Sequence, residues 1–153
     1  MNRRPELNRR CFLAASTAVL LAGPALAARD VIEVYKSATC GCCTKWNEHL
    51  RANGFEVKAH DVDDITASRA RLGVPQALGS CHTGSVGGYL IEGHVPARDI
   101  QRLLKERPLA AGLAVPGMPR GSPGMEAEIR DPYEVLLFQP NGRYSVYQRY
   151  GAH

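Results

Sequence analysis

A β-branched run that ends directly on Cys40-Gly41-Cys42-Cys43, a helical spacing that starts at Cys43, and a further alternation of strand-like and helical segments predict an α/β domain of the thioredoxin-like kind. Two appendages are predicted with it: a long Gly/Pro-rich loop and a C-terminal β-hairpin. The chain has 153 residues, 44% hydrophobic and 22% charged, which suits one compact domain and argues against disorder.

The N-terminus reads as an export signal. Arg3, Arg4, Arg9 and Arg10 precede an apolar run of 13 residues from Cys11 to Gly23, too short for the roughly 20 that a membrane span needs. Ala25-Leu26-Ala27 supplies the small residues of a cleavage site, so residues 1–27 are predicted to be removed and 28–153 to form the mature domain. Asn8-Arg9-Arg10-Cys11-Phe12-Leu13 is similar to a twin-arginine signal, with Asn8 in place of the usual Ser or Thr. The expected location is the periplasm, with no membrane span in the mature form. Removing four arginines and one glutamate lowers the net charge from +4 to +1, leaving no basic patch to bind nucleic acid.

Val31-Ile32-Glu33-Val34-Tyr35 is the first predicted strand, and Cys43, Trp46 and Leu50 mark one face of a helix that stops at Asn53-Gly54. Trp46 is expected in the core and His49, on the same helix, at the surface. Phe55 to Ala59 alternates as a second strand, and Asp61-Val62-Asp63-Asp64 leads into a short helix through about Arg71, broken by Gly73-Val74-Pro75. Pro75 is the expected loop proline facing the cysteines, cis as is usual in such a fold. A strand is predicted around Tyr89-Leu90-Ile91, then a helix from Ala97 to Arg107 with Ala97, Ile100, Leu103 and Leu104 on one face. Residues from Pro108 to Pro132 read as one irregular loop, and Tyr133–Phe138 and Arg143–Tyr150 as a hairpin around Pro140-Asn141-Gly142.

Four cysteines remain after cleavage, Cys40, Cys42, Cys43 and Cys81, and three lie within four residues. Disulfide-stapled domains spread their cysteines to close large loops, so this crowding points to chemistry, although two ordinary disulfides are a third, structural reading. At a helix N-terminus, unpaired N–H groups and the macrodipole favour thiolate over thiol. Disulfide exchange needs only an attacking and a resolving sulfur, Cys40 and Cys43, whereas a soft-metal site uses all four. Thiolates select Cu(I), and the CxCC spacing puts several sulfurs in bridging reach; zinc is the alternative metal. His82, His94, Met118 and Met125 are further candidates, as ligands or as groups that support or cover the ligands. No nucleophile elbow, phosphate loop or HExxH pattern is present, so no hydrolase is expected.

The segments Val34 to Trp46, Gly73-Val74-Pro75, Ser80-Cys81-His82-Thr83, Tyr89 to Pro96 and Gly112 to Glu126, in this order, resemble the domain-of-unknown-function 411 family, which includes CopG-like periplasmic proteins of bacterial copper-resistance systems. That resemblance implies a thioredoxin-like fold whose cysteines, here Cys40, Cys42, Cys43 and Cys81, bind copper in a multinuclear cluster. It also implies a redox role towards copper, and contact with copper ions and other periplasmic copper-handling proteins. The expectation is therefore a periplasmic copper-binding protein of copper resistance, with a thiol-disulfide oxidoreductase on Cys40 and Cys43 as the alternative.

Overall fold

A computed structural model describes residues 29–151; the predicted signal segment and His153 lie outside them. The chain forms strands β1 (Val31–Lys36), β2 (Glu56–Asp61), β3 (His82–Val86), β4 (Tyr89–Glu92), β5 (Gly112–Ala114), β6 (Tyr133–Phe138) and β7 (Tyr144–Tyr150). The helices are α1 (Gly41–Ala52), α2 (Ile65–Leu72) and α3 (Ala97–Glu106). All seven strands form one mixed sheet in the order β2-β1-β3-β4-β5-β6-β7, giving an α/β fold. Among the pairs, β1/β2 and β4/β5 are parallel and the others antiparallel.

The periodicities explain the packing. Ile32 and Val34 alternate inward on β1, Trp46 and Leu50 come from one face of α1, and Ile100 and Leu103 from one face of α3; all are buried in a shared core with Ile91 and Leu113. A smaller apolar cluster unites Val74, Leu78, Ala114, Leu136 and Phe138. α2 begins at Asp64, whose carboxylate accepts the Ala67 N–H, and ends at Gly73 in the left-handed region.

Four sequence expectations change. α1 starts at Gly41, two residues before the apolar spacing begins, because Cys40 caps it: its Sγ accepts the Cys43 N–H at 3.3 Å. His82–Val86 is a strand despite its polar residues and Gly84, and Gly112–Ala114 is a strand inside the expected loop, because each is paired on both sides. The irregular segment before the hairpin therefore begins only at Val115. No peptide bond among the described residues is cis, and Pro75 opens a single 3-10 turn (Gln76–Leu78). The residue that enters β3 is Cys81, as expected close to the cysteines of α1, its Sγ 3.7 Å from that of Cys42.

Candidate metal centre

β1 delivers the chain to Ser37-Ala38-Thr39, and a turn closed by the Cys40 N–H on the Ser37 carbonyl, 3.1 Å, sets Cys40 at the head of α1. Cys42 and Cys43 follow in its first turn. β3 runs antiparallel to β1 with His82 opposite Lys36, so Cys81, one residue earlier, arrives beside the residues that leave β1. The four Sγ atoms lie within 4.8 Å of one another. Cys40 and Cys43 are joined by a disulfide, and Cys42 and Cys81 are free. Cys42 Sγ stands 3.5 Å from Cys40 Sγ and 3.7 Å from Cys81 Sγ, while Cys43 Sγ lies 3.6 Å from the Cys81 carbonyl oxygen. Cys43 is fully buried; the other three are partly exposed.

Burial, reinforced by Cys42 alongside, pushes the Cys81 thiol up to about 12. A cation arriving there must displace its proton. His82 and His94 both face this sulfur: His82 Nδ1 is 3.4 Å and His94 Nε2 3.1 Å from Cys81 Sγ. Both rings are inaccessible to solvent. Burial, with His94 nearby, takes His82 down to about 3, and burial lowers His94 as well. Trp46 packs its ring against His82 at 4.2 Å between centroids and anchors its Nε1–H on the Val95 carbonyl at 2.9 Å.

The Gly/Pro-rich segment lies over this arrangement. The Ser80 hydroxyl donates to the Gly117 carbonyl, and Gly124 sits so close to α1 that a Cβ there would be 2.6 Å from the Cys42 carbonyl oxygen and 2.9 Å from the Trp46 nitrogen. Met118 is 53% exposed and Met125 half-buried on this segment. The sequence thus brings the four cysteines, His82 and His94 to one place, with the two methionines on the strap above it.

Two residues that hold the site carry no sequence signal that marks them. Arg69 on α2 and Glu92 on β4 are buried and paired, Nε to Oε1, at 2.8 Å. Glu92 accepts the Ser80 N–H at 2.6 Å while Arg69 donates to the Ser80 carbonyl, so the peptide groups flanking Ser80 are held just ahead of Cys81. Lone charges on a helix and a strand read from sequence as solvated, and only long-range contact reveals the pair. His49 also departs from expectation: it is half-buried, and its Nε2 accepts the Ala97 N–H at 3.1 Å, capping α3 where Pro96 offers no side-chain hydrogen bond.

The family described as "Protein of unknown function, DUF411" matches residues 78–125. A solved structure named "Copper resistance protein copG- Form 2" is 49% identical, with a TM-score of 0.77, over 81% of this chain and 100% of its own. A second, "Copper resistance protein copG- Form 1", is 50% identical, with a TM-score of 0.75, over 80% of this chain and 98% of its own. No curated protein matches the chain. A family match over the segment that holds Cys81, and a fold shared along most of the chain with copper resistance proteins 49% and 50% identical to it, place it: the chain belongs to the DUF411 family, as a CopG-like member.

Proposed function

We propose that the mature domain, 28–153, acts in periplasmic copper resistance by holding Cu(I) in a multinuclear thiolate site made by Cys40, Cys42, Cys43 and Cys81. The observation that carries this reading is the approach of four sulfurs to within 4.8 Å of one another from two elements far apart in sequence. Soft sulfur donors in that number suit Cu(I) as cargo, and bridging thiolates hold more than one ion. The names of the similar structures point the same way. In this reading β1 to β4 with α1 to α3 form a thioredoxin-like core, supported by the parallel β1/β2 pair, the antiparallel β3 and β4, and a CxxC pair at the head of α1. Met118 and Met125 belong to the covering strap, and the chain reaches the periplasm through its twin-arginine-like signal, cleaved after Ala27.

Anaerobic Cu(I) loading of the reduced chain, read by native mass spectrometry, tests the proposal. Several Cu(I) ions per chain are expected, fewer in Cys81→Ser and in Cys42→Ser; retention of no copper, or of a single zinc in preference, overturns it.

A second reading rests on the Cys40–Cys43 disulfide itself. The partly exposed Cys40 at a helix N-terminus and the buried Cys43 suit the attacking and resolving roles of a thiol-disulfide oxidoreductase. Two thiolates oxidised to this disulfide release two electrons, enough to reduce two Cu(II) to Cu(I), so the two readings can meet in one redox cycle. Absence of reductase activity on insulin, together with no Cu(II) reduction by the dithiol form, removes the second reading and leaves the first intact.

A further inference from the structure

Where the end of α1, the start of α3, the strap and the hairpin meet, the chain lines a cavity of about 340 Å³ with Arg98, Pro123, Arg130, Tyr133 and Tyr150 in its wall. The aromatic part of that wall is built from two stacked rings, Tyr133 and Tyr150, 4.8 Å apart and inclined by 13°. The Arg98 guanidinium lies over the Tyr150 ring, 4.6 Å from its centre. Arg130 lays its stem on Gly121 of the strap, so closely that a Cβ there would stand 2.7 Å from its Cγ.

The charges at this cavity do not balance. Asp99, the carboxylate beside it, is buried and already engaged: it accepts from the Tyr150 hydroxyl at 2.5 Å and stands 3.9 Å from Arg102. Arg98 donates through Nε to the Tyr150 oxygen at 2.7 Å and forms no ion pair among the described residues. Arg130 has neither a hydrogen bond nor an ion pair among them. Burial, and then Asp99, raises the Tyr133 phenol to about 12 against the pull of Arg98 and Arg130. It therefore keeps its hydrogen at neutral pH, and that O–H meets no acceptor among the described residues.

An anion is what such a set lacks. Guanidinium groups present N–H pairs in the geometry a carboxylate accepts, and the phenol adds a third donor. The stacked rings select for carbon beside the charge, which inorganic anions do not carry, and the volume suits a small molecule.

We propose that this cavity binds a small organic anion with more than one carboxylate, held by Arg98, Arg130 and the Tyr133 hydroxyl, its carbon skeleton against the stacked tyrosines. Because these donors come from α3, the strap and the hairpin, the ligand ties the three together. The tie reaches the strap over the metal centre through Pro123, which lines the cavity and whose carbonyl oxygen lies 2.8 Å from His94 Nδ1. No cysteine, and neither His82 nor His94, lines the cavity, so the site does not depend on the Cu(I) reading.

Calorimetric titration of the metal-free chain with citrate is the test, with inorganic phosphate and acetate alongside. One citrate per chain is expected, bound more tightly than either. Arg130→Gln and Tyr133→Phe are each expected to weaken it about tenfold or more, as loss of a hydrogen bond to a charged group does. Arg143→Gln, on an exposed arginine of the hairpin turn outside the cavity, is expected to leave binding unchanged. In the unsubstituted chain, citrate is expected to shift the amide resonances of Ala97, Arg98 and Gly121, all in the cavity wall, a readout that needs no variant to fold. Absence of citrate binding, phosphate bound as tightly as citrate, an equal loss in Arg143→Gln, or unmoved resonances at those amides overturns the proposal. Cu(I) loading without citrate is a separate measurement, so failure of either reading leaves the other standing.

Discussion

Arg69 and Glu92 show how a site is held by residues that do not join its chemistry. Glu92 is inaccessible to solvent and accepts from Arg69, from the Ser80 N–H and from the Thr83 hydroxyl, and Arg69 closes the loop on the Ser80 carbonyl. Breaking one half leaves an uncompensated buried charge, so Glu92→Leu is expected to cost about 3–5 kcal/mol in urea unfolding. Arg69→Met combined with Glu92→Leu is expected to recover most of that stability, because apolar groups of similar volume replace a buried pair at little net cost. The double variant is nevertheless expected to bind Cu(I) more weakly, since nothing then fixes Ser80 ahead of Cys81. Recovery of stability together with unchanged Cu(I) affinity denies the pair its positioning role. Cys40, Cys42 and Cys43 are legible in the sequence because CxCC spacing is a local signal, and Cys81 as the one further cysteine of the predicted mature chain; Arg69 and Glu92 are not, because what distinguishes them is each other.

At the scale of the element, α1 and the strap above it form one unit. The helix begins at Gly41 with a cysteine sulfur as its cap, and Gly124 of the strap touches its first turn. Gly124 has φ +86°, in the region L-residues avoid, and no room for a Cβ against the Cys42 carbonyl and the Trp46 nitrogen. Gly124→Ala is therefore expected to lower stability by at least about 1–2 kcal/mol from backbone strain alone, and to lift the strap. A thermal melt checks the first effect, and faster Cu(I) transfer to a chelator the second; an unchanged transfer rate means that the strap does not control access. α1 and α3 were readable from apolar spacing, α2 from its acidic lead-in and the Gly73-Val74-Pro75 break, and the hairpin from the Asn141-Gly142 turn. β3 and β5 were not, since His82, Thr83, Gly84 and Gly112 carry weak strand preference, and pairing with both neighbours makes them strands.

Across the whole molecule, the hairpin of β6 and β7 extends the sheet and is tied back to α3. Tyr150 donates to the buried Asp99 at 2.5 Å and accepts from Arg98 at 2.7 Å, and Arg102 lies over the Tyr147 ring at 3.8 Å. Tyr150→Phe leaves Asp99 without that donor and is expected to cost about 1–3 kcal/mol, with Cu(I) stoichiometry unchanged. Burial, and then Asp99, raises the Tyr150 phenol above its ordinary value of 10.0. Its contribution is therefore fully present below about pH 10 and lost as pH rises through the unfolded value towards the folded one. Denaturation midpoints from pH 8 to 11 should fall more steeply for the native chain than for Tyr150→Phe; parallel curves remove this account.

By itself the sequence determined an α/β chain with a cysteine-rich turn between a strand and a helix, a sulfur set suited to a soft metal, and a hairpin at the C-terminus, all of which depend on residues near one another in the chain. Only the tertiary structure decided how closely Cys81 meets that set, that His82 Nδ1 and His94 Nε2 face its sulfur, and that Arg69 and Glu92 hold the approach. The reason is the antiparallel register of β1 and β3. It sets His82 opposite Lys36, and so brings the residue before one strand against the residues after the other, a meeting across 39 positions that no local pattern encodes.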